Sequence, residues 1–283
     1  MESIVAFVDG STYGASVCDH AAWAAERLRV PVTLVHALGR PDASSAPADL
    51  SGNLKLGARR ALLEKLAAHD AERAALAQER GRALLDDARA RIIATADVEV
   101  RTRLRLGDPV QALEEIEREA GVRLIVIGKR GEDASPAMEH LGSNLDRLVR
   151  AADRPALITS RAFRPVGRVL LAFDGGASAR RAVERIAESP MLRGAAVDVL
   201  TAGSGAAEGL ASAAERLRAA GFEAGERRLD GPPEPAISTA VRDLGADMLV
   251  LGKSGHSRLH QLFVGSTTLG LMRSCQVPVL IFP

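Results

Sequence analysis

Met248-Leu249-Val250-Leu251-Gly252-Lys253-Ser254-Gly255 is an apolar run that breaks into a glycine turn. Nine residues after Gly255, the triplet Gly265-Ser266-Thr267 opens a short amphipathic stretch. A run without polar alternation suits a strand covered by helices on both faces. Glycine at its end allows close backbone approach to a ligand. The start of the following helix leaves N–H groups unbonded, with a dipole that favours negative charge. The Ser266 and Thr267 hydroxyls add donors, and Lys253 and Arg258 add positive charge. The pattern predicts a strand, an anion-holding turn and a helix, in that order.

The chain carries the same pattern twice. Ile127-Gly128-Lys129-Arg130-Gly131 matches Leu251 to Gly255 at an offset of 124, and Leu141-Gly142-Ser143 matches Val264-Gly265-Ser266 at 123. Ile4-Val5-Ala6-Phe7-Val8-Asp9-Gly10 matches Val169 to Gly175 at 165. The falling offset places 41 extra residues in the first copy, between its first strand and its glycine turn. They fall at about 40–82. Fixed self-similarity of this kind marks two copies of one unit, expected at 1–161 and 165–283 with a polar connector from Ser160 to Pro165.

Short apolar runs alternating with amphipathic stretches predict βα units. Strands are expected near 3–8, 31–37, 97–106, 123–128 and 155–160. In the second copy they are expected near 167–173, 195–201, 223–229, 247–252 and 277–282. Asp108 caps a helix whose first position is Pro109, with Val110, Leu113, Ile116 and Ala120 inward. Residues 54–94 read as helix weakened at Gly57 and Gly81. Their seven-residue phase of Leu56, Leu63, Ala77 and Leu84 is interrupted by Asp70, which is too little for a coiled coil.

Composition narrows the function classes. The 283 residues carry a net charge of +1 and only 3% aromatics, which argues against nucleic acid and against an anionic membrane. No apolar stretch of about 20 residues predicts a membrane span, and the N-terminus lacks a signal-peptide pattern. A soluble cytoplasmic protein is expected. Cys18 and Cys275 have no metal spacing and read as buried small hydrophobes. Gly252-Lys253-Ser254 lacks the upstream glycine of a P-loop, since Asp247 stands there. His256 and His260 lack the glutamate of a zinc helix, and no metal ligands are expected. No local nucleophile–base pair is visible, so no catalytic residues are expected.

The spacing Gly, two residues, Gly, nine residues, Gly-Ser resembles the nucleotide signature of the universal stress protein family. Asp174 at the end of the first strand and Val277-Pro278 before the last strengthen the likeness, which spans nearly the whole chain outside 40–82. The resemblance implies two tandem doubly wound α/β domains, with five parallel strands each, packed through edge strands as an internal pseudo-dimer. A further homodimer and a regulatory protein partner are also implied. It implies a stress-response sensor or regulator holding ATP, ADP or AMP, with Mg. Gly252, Gly255, Gly265, Ser266 and Thr267 would hold phosphate, Asp174 would sit by the ribose or cation, and main-chain atoms of Leu200 and Thr201 would face adenine. In the first copy the matching residues are Asp9, Gly128, Gly131, Gly142 and Ser143. That copy departs from the pattern: ten residues separate Gly131 from Gly142, Glu132 and Asp133 bring like charge, and Asn144 replaces Thr267. Two alternatives stand beside this reading. One is slow ATP hydrolysis or phosphotransfer through Asp174 and His256. The other is a nucleotide-free interaction module built on 54–94.

Overall fold

The structure, a computed structural model, describes residues 2–39, 56–119, 121–129, 143–203, 209–253 and 264–283. The first copy runs β1 (Ser3–Phe7), α1 (Gly14–Leu28), β2 (Val32–Leu38), α2 (Leu56–Thr95), β3 (Val100–Leu106), α3 (Pro109–Arg118), β4 (Val122–Gly128), α4 (Ser143–Ala151) and β5 (Ala156–Thr159). The second runs β6 (Arg168–Ala172), α5 (Ala177–Glu188), β7 (Ala196–Ala202), α6 (Leu210–Ala219), β8 (Ala224–Leu229), α7 (Pro233–Asp243), β9 (Met248–Gly252), α8 (Ser266–Ser274) and β10 (Val279–Phe282). All ten strands lie where the apolar runs predict them.

The strands form one sheet in the order β3-β2-β1-β4-β5-β10-β9-β6-β7-β8. Pairing is parallel within each half. At the centre β10 runs antiparallel to β5, with Leu280 opposite Leu157. The two halves are thus joined edge to edge across a pseudo-two-fold axis. Strand alternation divides the apolar side chains between two faces. Leu124 and Val126 of β4 and Met248 and Val250 of β9 face α1, α2, α5 and α6. Ile125, Ile127, Leu249 and Leu251 face α3, α4, α7 and α8. Each core cluster contains residues of both halves, because β5 and β10 contribute to both faces.

Local chemistry sets the helix ends. The Asp108 side chain accepts from Val110 N at 2.7 Å and Pro109 occupies the first turn, as the sequence predicts, and Leu113 and Ile116 are buried. Ala120 lies outside the described residues. The outer strands β3 and β8 carry Arg101, Arg103, Arg105, Arg227 and Arg228, and charge on edge strands opposes edge-to-edge association.

One expectation is overturned in α2. Gly81 does not weaken the helix, which is continuous from Leu56 to Thr95. A Cβ at Gly81 would lie 2.8 Å from Leu104 Cδ1 and 3.0 Å from His36 Cδ2, so glycine is needed for α2 to cross the ends of β2 and β3. Inward residues are Gly81, Leu85, Ala88 and Ile92. The seven-residue phase is not the packing face, since Ala77 is exposed. Residues 64–77 rise past the end of β2, and Leu66 and Leu76 there are exposed.

Candidate functional site

In the second half, β6 lies between β9 and β7. The chain leaves β6 toward α5 on one face and leaves β9 toward α8 on the other. Such a switch point opens a crevice at the carboxyl ends of the strands. Gly252, the last residue of β9, sits between the first turns of both helices. On one side, a Cβ at Gly252 would lie 3.0 Å from Ala179 N and 3.1 Å from Ser178 Cβ. On the other, the Thr268 hydroxyl donates to the Gly252 carbonyl at 3.1 Å. Glycine at 252 is therefore required by α5, a reason for it beyond ligand approach.

Gly265 N donates to the Lys253 carbonyl at 3.1 Å, which sets the start of α8 beside the end of β9. Gly265 then serves as the N-cap residue of α8 and, lacking a side chain, supplies no side-chain cap. Ser266 is exposed and Thr267 half-buried. Across the crevice, Asp174 Oδ1 accepts from Gly176 N at 2.8 Å. Gly175 has φ +74°, which turns the chain into α5. Asp174 thus shapes the turn, and Gly252, Asp174, Gly265, Ser266 and Thr267 all lie at the carboxyl rim of β6 and β9. Gly255, Arg258, His256 and His260 lie outside the described residues.

One sequence expectation fails here. Lys253 does not supply charge to the crevice. It is 6% exposed, and its Nζ donates to Arg150 O at 2.7 Å and Ala152 O at 2.8 Å, at the end of α4. Burial holds its pKa below the ordinary lysine value, while the nearby Asp153 and Glu117 carboxylates act the other way. The Leu200 carbonyl accepts from Phe173 N at 2.7 Å. Thr201, next in β7, is 4% exposed, and its Oγ1 has no partner among the described residues.

The first half repeats the frame with different filling. Asp9 Oδ1 accepts from Ser11 N at 3.1 Å, and Gly128 ends β4. Ser143 begins α4. Gly131, Gly142, Glu132 and Asp133 lie outside the described residues. Where the second half has Thr201, the first has His36, whose Nδ1 bonds the Val8 carbonyl at 2.8 Å. Among the described residues, no cluster of three or more His, Cys, Asp or Glu could hold a metal, and no helix is long and apolar enough to cross a membrane.

Thr268 and Ser178 were not legible beforehand. Nothing in Ser266-Thr267-Thr268 marks which hydroxyl turns inward. Lys129 and Lys253 did leave a signal, a lysine kept after the strand-end glycine in both copies.

The model of the universal stress protein family matches this chain twice, over residues 1–160 and 165–283. The chain belongs to the universal stress protein family. That membership places it among stress-response proteins in tandem two-domain form. A universal stress protein of Synechocystis sp. is 31% identical over 288 residues, covering all of both chains. The crystal structure of a universal stress protein from Archaeoglobus fulgidus shares the fold, with a TM-score of 0.71 at 20% identity over 99% of this chain and 97% of that one. A Pseudomonas aeruginosa structure described in the same terms gives 0.62 at 20% identity, over 100% and 93%. The pairing of β5 with β10 is the internal pseudo-dimer of two universal stress domains.

Proposed function

We propose that this universal stress protein is an adenine-nucleotide sensor whose principal site is the crevice between β6 and β9. The observation that carries the reading is the meeting of α8's start, without a side-chain cap, with the Gly252 and Asp174–Gly176 turns at a topological switch point. Phosphate takes the first-turn N–H groups of α8 and the hydroxyls of Ser266 and Thr267, as helix starts favour anions. Gly255 completes that cradle. Asp174 faces the ribose or a phosphate-bound Mg. ATP, ADP and AMP share the groups these residues recognise. The first-half site, at Asp9, Gly128, Gly131, Gly142 and Ser143, binds more weakly, because Glu132 and Asp133 bring negative charge.

Equilibrium dialysis with labelled ATP tests this, using wild type and Gly265→Asp. An Asp at that position caps α8 itself, so folding is retained. Its carboxylate repels phosphate by on the order of 1–4 kcal/mol. The expected result is at least about tenfold weaker binding with an unchanged or raised melting temperature. Equal binding by both proteins rejects the site.

A second reading, protein interaction through α2, has its own observation: Leu66 and Leu76 are exposed on a segment that passes the sheet. Loss of partner capture on Leu66→Glu/Leu76→Glu, with ATP binding intact, would favour it.

A further inference from the structure

Lys129 and Lys253 each follow the glycine that ends a fourth strand of its half, β4 and β9. Both amino groups cross the centre of the molecule. Lys253 Nζ donates to Arg150 O and Ala152 O at the end of α4, at 2.7 and 2.8 Å. Lys129 Nζ donates to Cys275 O at the end of α8, at 2.6 Å. The contacts are equivalent under the pseudo-two-fold axis, because Ala152 corresponds to Cys275.

The last carbonyls of a helix lack intrahelical partners and carry the negative end of its dipole. A cation there stabilises the helix and fixes its far end. α4 and α8 have nine residues each, about 13 Å of rod. The other ends of these rods open the anion sites, at Ser143 and Ser266. On the second-half side the links continue. Gly265 N bonds the Lys253 carbonyl and Thr268 Oγ1 bonds the Gly252 carbonyl. A bonded path therefore runs from the start of α8, through Gly252 and Lys253, to the end of α4.

We propose that Lys129 and Lys253 are positioning residues, each setting in place the phosphate-facing helix of the opposite half. Neither half's site is complete without the lysine of the other. This rests on the nucleotide reading above for the ligand, but not for the mechanical link.

Two measurements on the full chain test it. In a Gly142→Asp background that closes the first-half site, calorimetric titration with ATP reads the second-half site alone. Lys129→Met, a change in the opposite half, weakens binding three- to tenfold, and Lys129→Arg restores it to within twofold. Without ATP, hydrogen exchange in Lys129→Met is at least threefold faster at residues 269–271, the first amides bonded within α8. Lys129→Gln, a neutral donor, replaces Met should that variant fail to fold. Unchanged affinity, or faster exchange confined to 273–276, overturns the proposal. If wild type binds no ATP the nucleotide reading falls, and the exchange measurement alone decides the lysine link.

Discussion

His20 shows how a single residue fixes a pH response. It is fully buried, its Nδ1 lies 2.7 Å from the Ser16 carbonyl, and its Nε2 has no partner among the described residues. The Phe163 ring closes on it edge-on at 5.0 Å. A proton on Nε2 would have no acceptor there, and burial lowers the pKa from its ordinary 6.5, against smaller opposing effects of Ser16 and Asp19. Below about pH 6.5 the unfolded chain takes up a proton that the folded chain refuses. The neutral ring's stabilisation is therefore complete above that pH and is lost as pH falls below it. Urea denaturation at pH 7.5 and 5.5 checks this: wild type should lose more stability on acidification than His20→Leu. Equal losses would remove His20 from the account. Cys18 also follows burial, which pushes its thiol up to about 11. Both cysteines are free and buried, as small hydrophobes would be. Residue by residue, the sequence placed Gly252 at the end of its strand but did not show why it must be glycine. Its neighbours Ser178 and Ala179 are more than seventy positions away in the chain, and no local pattern reports such a contact.

Among the elements, α2 shows how tertiary contact reverses a local rule. Glycine inside a helix costs about 1 kcal/mol relative to alanine, so Gly81 read as a weak point. In place, it packs directly against Leu104 of β3 and His36 of β2. Gly81→Val should lower stability by about 1–3 kcal/mol, the usual range for overpacking, measured by chemical denaturation. An unchanged or raised stability would show that α2 can stand off without loss. The inner strands were legible because their apolar runs are short, bounded and covered on both faces. The helix paired with β2 was legible in extent but not in orientation, since its alanines fit any face. The Asp108 cap was legible because its partner, Val110 N, is two residues away.

For the whole molecule, the β5–β10 seam decides what each half can do alone. Leu157, Ile158, Leu280 and Ile281 of these strands are almost wholly buried, and the two core clusters run across the seam. A half expressed alone would expose a strand edge and two apolar faces, a surface that demands a partner. The fragment 165–283 should therefore sediment as a dimer, with one β10 taking the place of β5 against the other. A stable monomer would show that the seam contributes little. The connector also binds the halves: the Ser16 hydroxyl donates to the Ser160 carbonyl at 2.7 Å, and Phe163 packs beside His20 and Trp23. At the equivalent place in the second half, Arg181 Nε donates to the Pro283 carbonyl at 2.8 Å.

The sequence by itself determined the two copies, their ten strands, the family, and the placing of Asp174 and Gly252 at strand ends and of Gly265 and Ser266 at a helix start. These follow from periodicity and spacing, which are local and survive in a linear chain. Only the tertiary structure decided that Lys253 serves the other half, that Gly252 is wedged between two helix starts and that Gly81 is a crossing point. Each of these depends on which distant groups meet across a packed interface. Burial and hydrogen bonding then assign a side chain its role, whatever its neighbours in the chain suggest.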